Sequence, residues 1–414
     1  MWYNWGMDKE NTTTLSSCRM LLPGRRVGEG DIVIDRTTGR IAEIRPASGP
    51  VGDLLVLPGL VNCHCHAPMT LLRGVGGGLP LQRWLEEAIF PREAKLTDAD
   101  VARGMTLGAK EMLAGGTTCV ADMYDHTRAG ADALAASGMR GNVCVPGLAF
   151  PDGSPAGRLE DCLAFARTPL AGRVVADLCI HSEYLTNEPF CRAMADANRE
   201  LRRPLHVHVS ETRREHEECV ARHGKTPIAY LAETGILDHG GYAAHCVWCT
   251  DDDFRIMAER GVSLVHNPTS NMKLGSGIAR VVRAMELGVN VAIGTDGPAS
   301  NDNLDMFEEM HLASLVHKAV SLDPTVLCPW DVIEMATRNG AKALGREGEV
   351  GEIAPGMAAD LCVVSLDAPH LVPADDLANL VVHSMHGSDV VMTFVGGELL
   401  YESSGPSRRW ARMP

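Results

Sequence analysis

The sequence predicts an α/β protein: a (β/α)8 TIM barrel with a small β-sandwich built from both chain termini. Short β-rich runs alternate with helical stretches from residue 98 onward, as repeated βα units do. Eight such runs can be counted, the number a closed barrel needs. Residues able to do chemistry recur where those runs end, and barrels of this kind carry function at the C-terminal ends of their strands.

The eight strands are read at 60–66 (LVNCHCH), 117–123 (TTCVADM), 140–147 (RGNVCVPG), 175–183 (VADLCIHSE), 203–210 (RPLHVHVS), 241–247 (GYAAHCV), 261–267 (GVSLVHN) and 289–295 (VNVAIGT). Helices fill most of the intervals. The clearest is 98–114, with Thr97 as N-cap and Gly115-Gly116 as its stop. Outside the barrel, 16–58 holds the hairpin-like RVGEGDIVIDRTTGRIAEI, and 356–402 holds GMAADLCVVSLD and VVMTFVGGELLYES. Neither end is long enough for its own core, so 1–59 and 353–414 are expected to join beside a barrel of 60–352. The first dozen residues read as a loose extension, with Met7 an alternative start.

With 414 residues and 45% hydrophobic composition the chain can bury a large core without a structural metal. Its net charge of −15 disfavours nucleic acid or an anionic membrane as partner and favours a small molecule. Thirteen cysteines without repeated spacing, and no N-terminal apolar run before a cleavage site, point to a reducing cytoplasm. No run of about 18 apolar residues suggests a membrane span.

The stretch NCHCHAPMTLLRG places Cys63, His64, Cys65 and His66 in a row. Side chains alternate along a strand, so the histidines share one face and the cysteines the other. A thiolate knot would need a second ligand pair nearby, and APMTLLRGVGGG offers none. The histidines are therefore the candidate ligands, with the cysteines packed as small apolar groups. Further donors stand at other strand ends: His206, His208 and Glu211 in HVHVSET, His245 in AAHC, and Asp296 in GTDG. By alternation alone, His206 and His208 are rivals.

LPGLVNCHCHAPMTLLRG, FPREAKLT, HVHVSET, AAHCV, HNPTSNMKLGSGIA, GTDGPASNDNLDMFEEM and GEIAPGMAADLCVV together resemble the amidohydrolase superfamily. Within it the chain looks like the 5'-methylthioadenosine/S-adenosylhomocysteine deaminase branch, with chlorohydrolases and guanine deaminases as cousins. The resemblance implies His64, His66, His208 and Asp296 as metal ligands with a position left for water. Zn²⁺ suits that set and Fe²⁺ accepts it. Superfamily members with two metals use a lysine at the end of strand four, and VADLCIHSEY has none, so one ion is expected. Asp296 would take the water's proton, Glu211 would protonate the ring nitrogen beside the attacked carbon, and His245 would bond the water or oxyanion and orient Asp296. Glu93 would hold ribose hydroxyls and His181 the purine ring. Homo-oligomers are usual in the family.

Two departures stand out. IHSEY puts Glu183 where the family has a small turn with Pro, and a charge at the pocket mouth is expected there. Relatives that use S-adenosylhomocysteine hold its carboxylate with two arginines; Arg158 is kept, but the second position is Pro146. Neutral 5'-substituted adenosines are therefore expected to outperform S-adenosylhomocysteine. His266, Asn271 and Lys273 of HNPTSNMKLG could line the pocket or merely order a loop. RGVGGGLP at 73–80 reads as a flap and not a phosphate loop, and MFEEMHLASL as core or subunit interface. The rival functions are deamination or dechlorination of another heterocycle, such as guanine or a triazine, and a metal-binding scaffold without turnover.

Overall fold

The computed structural model describes residues 5–7, 11–149 and 157–403. Leu60–Cys65, Thr117–Met123, Arg140–Cys144, Arg173–Ser182, Leu205–Val209, Gly241–His245, Val262–His266 and Val291–Ile293 form the eight staves of a barrel, all parallel where they pair. The fourth is interrupted at Asp177, so Arg173–Ala176 pairs with the third and Leu178–Ser182 with the fifth.

Closure of the barrel also builds the site. Asn62 on the first stave accepts from the Thr295 backbone N–H (3.1 Å), and the Asp296 N–H donates to the His64 carbonyl (3.0 Å), just beyond the eighth stave. The approach needs Gly294, since a Cβ there would lie 2.8 Å from the His64 nitrogen. Cys65 packs among Met105, Ala109 and Met112 of helix Asp98–Ala114, while the Cys63 thiol donates to the Gly340 carbonyl on helix Arg338–Ala343. The histidines between them are left facing inward. Thr97 and Asp100 form a capping box at the start of Asp98–Ala114, and Gly115 ends it.

The chain ends share one sheet, in the order Glu398–Glu402, Val390–Val395, Leu361–Ser365, Leu54–Pro58, Thr12–Leu22, Arg26–Asp35, Arg40–Arg45. The sheet folds over on itself: Ile41 N–H bonds the Met357 carbonyl at 2.9 Å, and Gly39, at φ +69°, leaves no room for a Cβ against the Gly396 carbonyl. Met20, Ile32, Ile34, Leu361 and Phe394 fill the space between its layers, a small β-sandwich made from a single curled sheet. Of the extension expected to be loose, Trp5–Met7 pairs antiparallel with Thr13–Leu15; residues 1–4 and 8–10 lie outside the described residues. The Met-rich helix, Met306–Ser321, buries Met306, Phe307 and Met310 in the core. No helix among the described residues is long and apolar enough to cross a membrane.

Candidate metal centre and active site

Four strand ends converge on one point. The Nε2 atoms of His64 and His66 lie 3.4 and 3.3 Å from Oδ1 of Asp296, and His208 Nε2 lies 3.3 Å from His66 Nε2. Two overlapping groups could hold an ion: His64, His66 and Asp296, and His64, His208 and His245, with donor atoms within 4.8 Å of one another in each. His66 Nδ1 faces the Met123 carbonyl and His208 Nδ1 the His181 carbonyl (2.7 Å). A carbonyl only accepts, so each ring donates from Nδ1 and leaves its Nε2 lone pair toward the cluster. His64 Nε2 is fully buried with no hydrogen-bond partner. An orphaned buried nitrogen is costly, and a divalent ion would satisfy it; imidazoles with one carboxylate are a suitable donor set.

Ser210, His245, Cys246 and Asp296 hold φ values of 47°, 73°, 50° and 62°, a region non-glycine residues seldom enter. Such strain persists where surrounding structure enforces it, and here it aims side chains at the strand ends. Asp296 Oδ2 accepts from the Ser270 and Ser300 hydroxyls at 2.6 and 2.9 Å, and Oδ1 from the Gly297 N–H at 2.8 Å. Burial alone would raise its pKa, but His64 and His66 hold it well below the usual carboxylate range.

His245 therefore does not orient Asp296, contrary to expectation. Its Nδ1 bonds Asn271 Oδ1 at 2.8 Å, and its Nε2 points to Glu211, 3.7 Å from Oε2, because the serines already occupy the outer side of Asp296. Glu211 is buried beside it; burial raises its pKa against the opposing effect of His245, and Ser276 donates to Oε1 at 3.4 Å. Glu215 fixes the turn below by accepting from the Ser210 and Glu211 N–H groups, both at 2.8 Å. His206 lies beneath the cluster, its Nε2 2.8 Å from His64 Nδ1.

Above these groups opens a cavity of about 480 Å³, sized for a nucleoside. His66, His181, His208, Glu211, His245 and Asp296 form one end, Glu93 and Tyr124 also line it, and Leu81, Trp84, Leu85 and Phe90 form an apolar wall. Burial raises the Glu93 pKa and lowers that of His181 to about 4. The wall comes from Leu81–Glu93, a helical segment with a π-turn at Trp84–Ile89. The glycine-rich 73–80 is a turn leading into it and no part of the wall.

Four expected pocket residues lie elsewhere. Arg158 is not among the cavity walls: its guanidinium engages both oxygens of Asp125 (2.6 and 3.3 Å) and the Pro146 carbonyl (3.1 Å). Pro146 itself does line the cavity. Glu183 is buried and turned away to Arg222 (2.6 Å) and His223 (2.9 Å), so it puts no charge at the mouth. Lys273 bonds Asp302, and His266 stands behind the site against His317. Ser270, Ser300, Glu215 and the backing roles of Asn271 and His206 are additions from the structure; Ser270 and Ser300 stand in the HNPTSN and GPASN segments, two short helices after strand ends.

Residues 55–400 match the model of the amidohydrolase family. A 5-methylthioadenosine/S-adenosylhomocysteine deaminase of Acetivibrio thermocellus is 44% identical over 355 residues, 84% of this chain and 81% of the relative. A 5'-deoxyadenosine deaminase of Methanosarcina mazei is 41% identical over 91% of this chain and 88% of its own. The crystal structure of an adenosine deaminase from Xanthomonas campestris with bound zinc superposes with a TM-score of 0.83 at 31% identity, covering 92% of each chain. With the match spanning barrel and terminal sheet alike, the chain belongs to the amidohydrolase family.

Proposed function

We propose that this protein is a metal-dependent hydrolytic deaminase that converts the 6-amino group of an adenosine-type nucleoside to the 6-oxo form and releases ammonia. The observation that carries the reading is a buried carboxyl, Glu211, sharing a nucleoside-sized cavity with a cluster of imidazole lone pairs and a strained aspartate. The deaminase names of the relatives support it.

His64, His66, His208 and Asp296 would hold one divalent ion. Zn²⁺ is favoured by three imidazoles with a carboxylate and by the zinc in the Xanthomonas relative, with Fe²⁺ the alternative. The ion would supply Lewis acidity that lowers the pKa of water towards ~7. Asp296 takes the attacking water's proton on the oxygen facing the histidines, its other oxygen being pinned by Ser270 and Ser300. Glu211, whose pKa is raised by burial, delivers a proton to ring N1 as the oxygen adds to C6. His245, steadied by Asn271, hydrogen-bonds the oxygen that adds to C6. When the C6–N bond breaks, the amino group leaves as ammonia with the proton that Asp296 holds, and the C6 hydroxyl gives up its proton to restore Glu211, leaving the 6-oxo ring. Glu93 accepts from the ribose hydroxyls and His181 contacts the purine.

Arg158 is already committed to Asp125, and the second arginine of a carboxylate clamp is replaced by Pro146. 5'-Methylthioadenosine, 5'-deoxyadenosine and adenosine are accordingly the expected substrates, ahead of S-adenosylhomocysteine. Thirteen free cysteines support a reducing cytoplasm. The test is ammonia release by zinc-loaded protein from these four nucleosides, adenine and guanine. Highest kcat/KM on the neutral 5'-modified nucleosides, with adenine poor, is expected. Silence on every nucleoside with metal bound would move the assignment to another heterocycle.

A further inference from the structure

His206 is fully buried and is not among the walls of the cavity above the site, yet it stands in hydrogen-bond contact with His64. Its two ring nitrogens continue a chain downward. Nε2 is 2.8 Å from His64 Nδ1, Nδ1 is 3.6 Å from the Cys144 sulfur, and that sulfur is 3.6 Å from the Asp122 carbonyl oxygen. The carbonyl can only accept, so the last link has one direction: the Cys144 S–H donates to it. A thiol that spends its proton there has only lone pairs left for His206, so His206 Nδ1 donates. In a neutral ring that leaves His206 Nε2 as an acceptor, and His64 Nδ1 must be the donor. The same result follows from above. A proton on His64 Nε2 would meet only Asp296 Oδ1, at a long 3.4 Å and already bonded to the Gly297 N–H, whereas a proton on Nδ1 meets His206 at 2.8 Å.

We infer that His206 is a positioning residue: by accepting a hydrogen bond from His64 Nδ1, and backed by Cys144 and Asp122, it locks His64 in the tautomer whose Nε2 lone pair faces the metal site. His66 and His208 use backbone carbonyls for the same purpose. His64 has no carbonyl partner at its Nδ1 among the hydrogen bonds described, so a second imidazole takes that place, and its own direction must be fixed by a further partner. The inference rests on the metal part of the proposed function and is indifferent to the substrate.

Two substitutions separate this role from simple packing. His206→Phe keeps a ring of similar shape and has no acceptor; His206→Gln loses the ring but can present Oε1 near the position of Nε2. Zinc affinity is measured on each purified protein by competition with a chromophoric chelator, alongside the parent. The expected result is a loss of about 10–100-fold for His206→Phe, the usual cost of removing an outer partner of a ligating histidine, and recovery to near the parental value in His206→Gln. Retained affinity in His206→Phe, or equal loss in both, overturns the inference. ¹⁵N spectra of histidine-labelled, zinc-loaded parent protein test it without any variant: His206 should show a protonated Nδ1 and an unprotonated Nε2 hydrogen-bonded to His64, and the opposite tautomer overturns it. A parent protein that binds no zinc overturns the metal reading itself and this inference with it.

Discussion

At the amino end of the barrel Arg140 donates to both oxygens of Asp360 (2.9 and 3.2 Å) and to Glu349, Arg346 donates to Asn142 (2.7 Å) and the Gly141 carbonyl (2.9 Å), and Asn142 and Tyr242 donate to Asp177 (2.7 and 2.9 Å). At the carboxyl end, His64, His208 and Asp296 are buried too, with His66 nearly so, but they turn acceptor atoms toward one another. The lower cluster pairs donors with acceptors and joins the barrel to the terminal sheet through Asp360, which directly precedes Leu361–Ser365. The upper cluster is incomplete as protein alone. Buried polarity is common to both, so it does not mark function by itself; unmet acceptors around a cavity do.

The largest effect that can break this comparison is at the upper end. Glu211→Gln removes the acid without removing a ligand, so kcat should fall by about 10²–10⁴-fold while bound metal stays at one ion per chain. Turnover within about tenfold of the parent would deny Glu211 its role, and loss of metal would move it into the ligand set.

At the lower end the same kind of change should act on stability alone. Asp360→Asn leaves Arg140 buried with part of its charge uncompensated, a loss of about 3–5 kcal/mol in denaturant unfolding. The fraction that remains folded should turn over substrate at nearly the parental kcat. If turnover falls while unfolding is unchanged, the division between structural and functional clusters fails.

The difference also governs what could be read from the sequence. His64 and His66 were legible because strand alternation fixes their common face, and His208, Asp296 and Glu211 because they stand at strand ends within extended motifs. Arg140 and Asp360 carry no such mark: they lie 220 residues apart and meet only when the terminal sheet docks on the barrel. Glu183 misled for a related reason. Two residues beyond His181 it should share that side chain's face, but the strand ends at Ser182 and a 3-10 turn over Glu183–Leu185 rotates it toward Arg222. Alternation is a rule about strands and lapses where the strand stops. Arg158 could be assigned to a clamp only by resemblance, and the partner that claims it, Asp125, comes from a different loop.

The smallest predicted effect lies inside the upper cluster and asks whether Glu211 works as an acid. It must carry its proton to protonate the ring, so kcat/KM should fall as pH rises through its pKa. Burial raises that pKa and so carries activity to higher pH; His245 and the Ser276 hydroxyl, which favour the carboxylate, oppose the rise. Ser276→Ala removes one of the opposing influences. The alkaline limb of the kcat/KM profile should then move to higher pH, with little change near neutrality, since the 3.4 Å bond is a long one. Movement to lower pH, or none, would assign the limb to a different group and leave Glu211 as a hydrogen-bonding wall of the cavity.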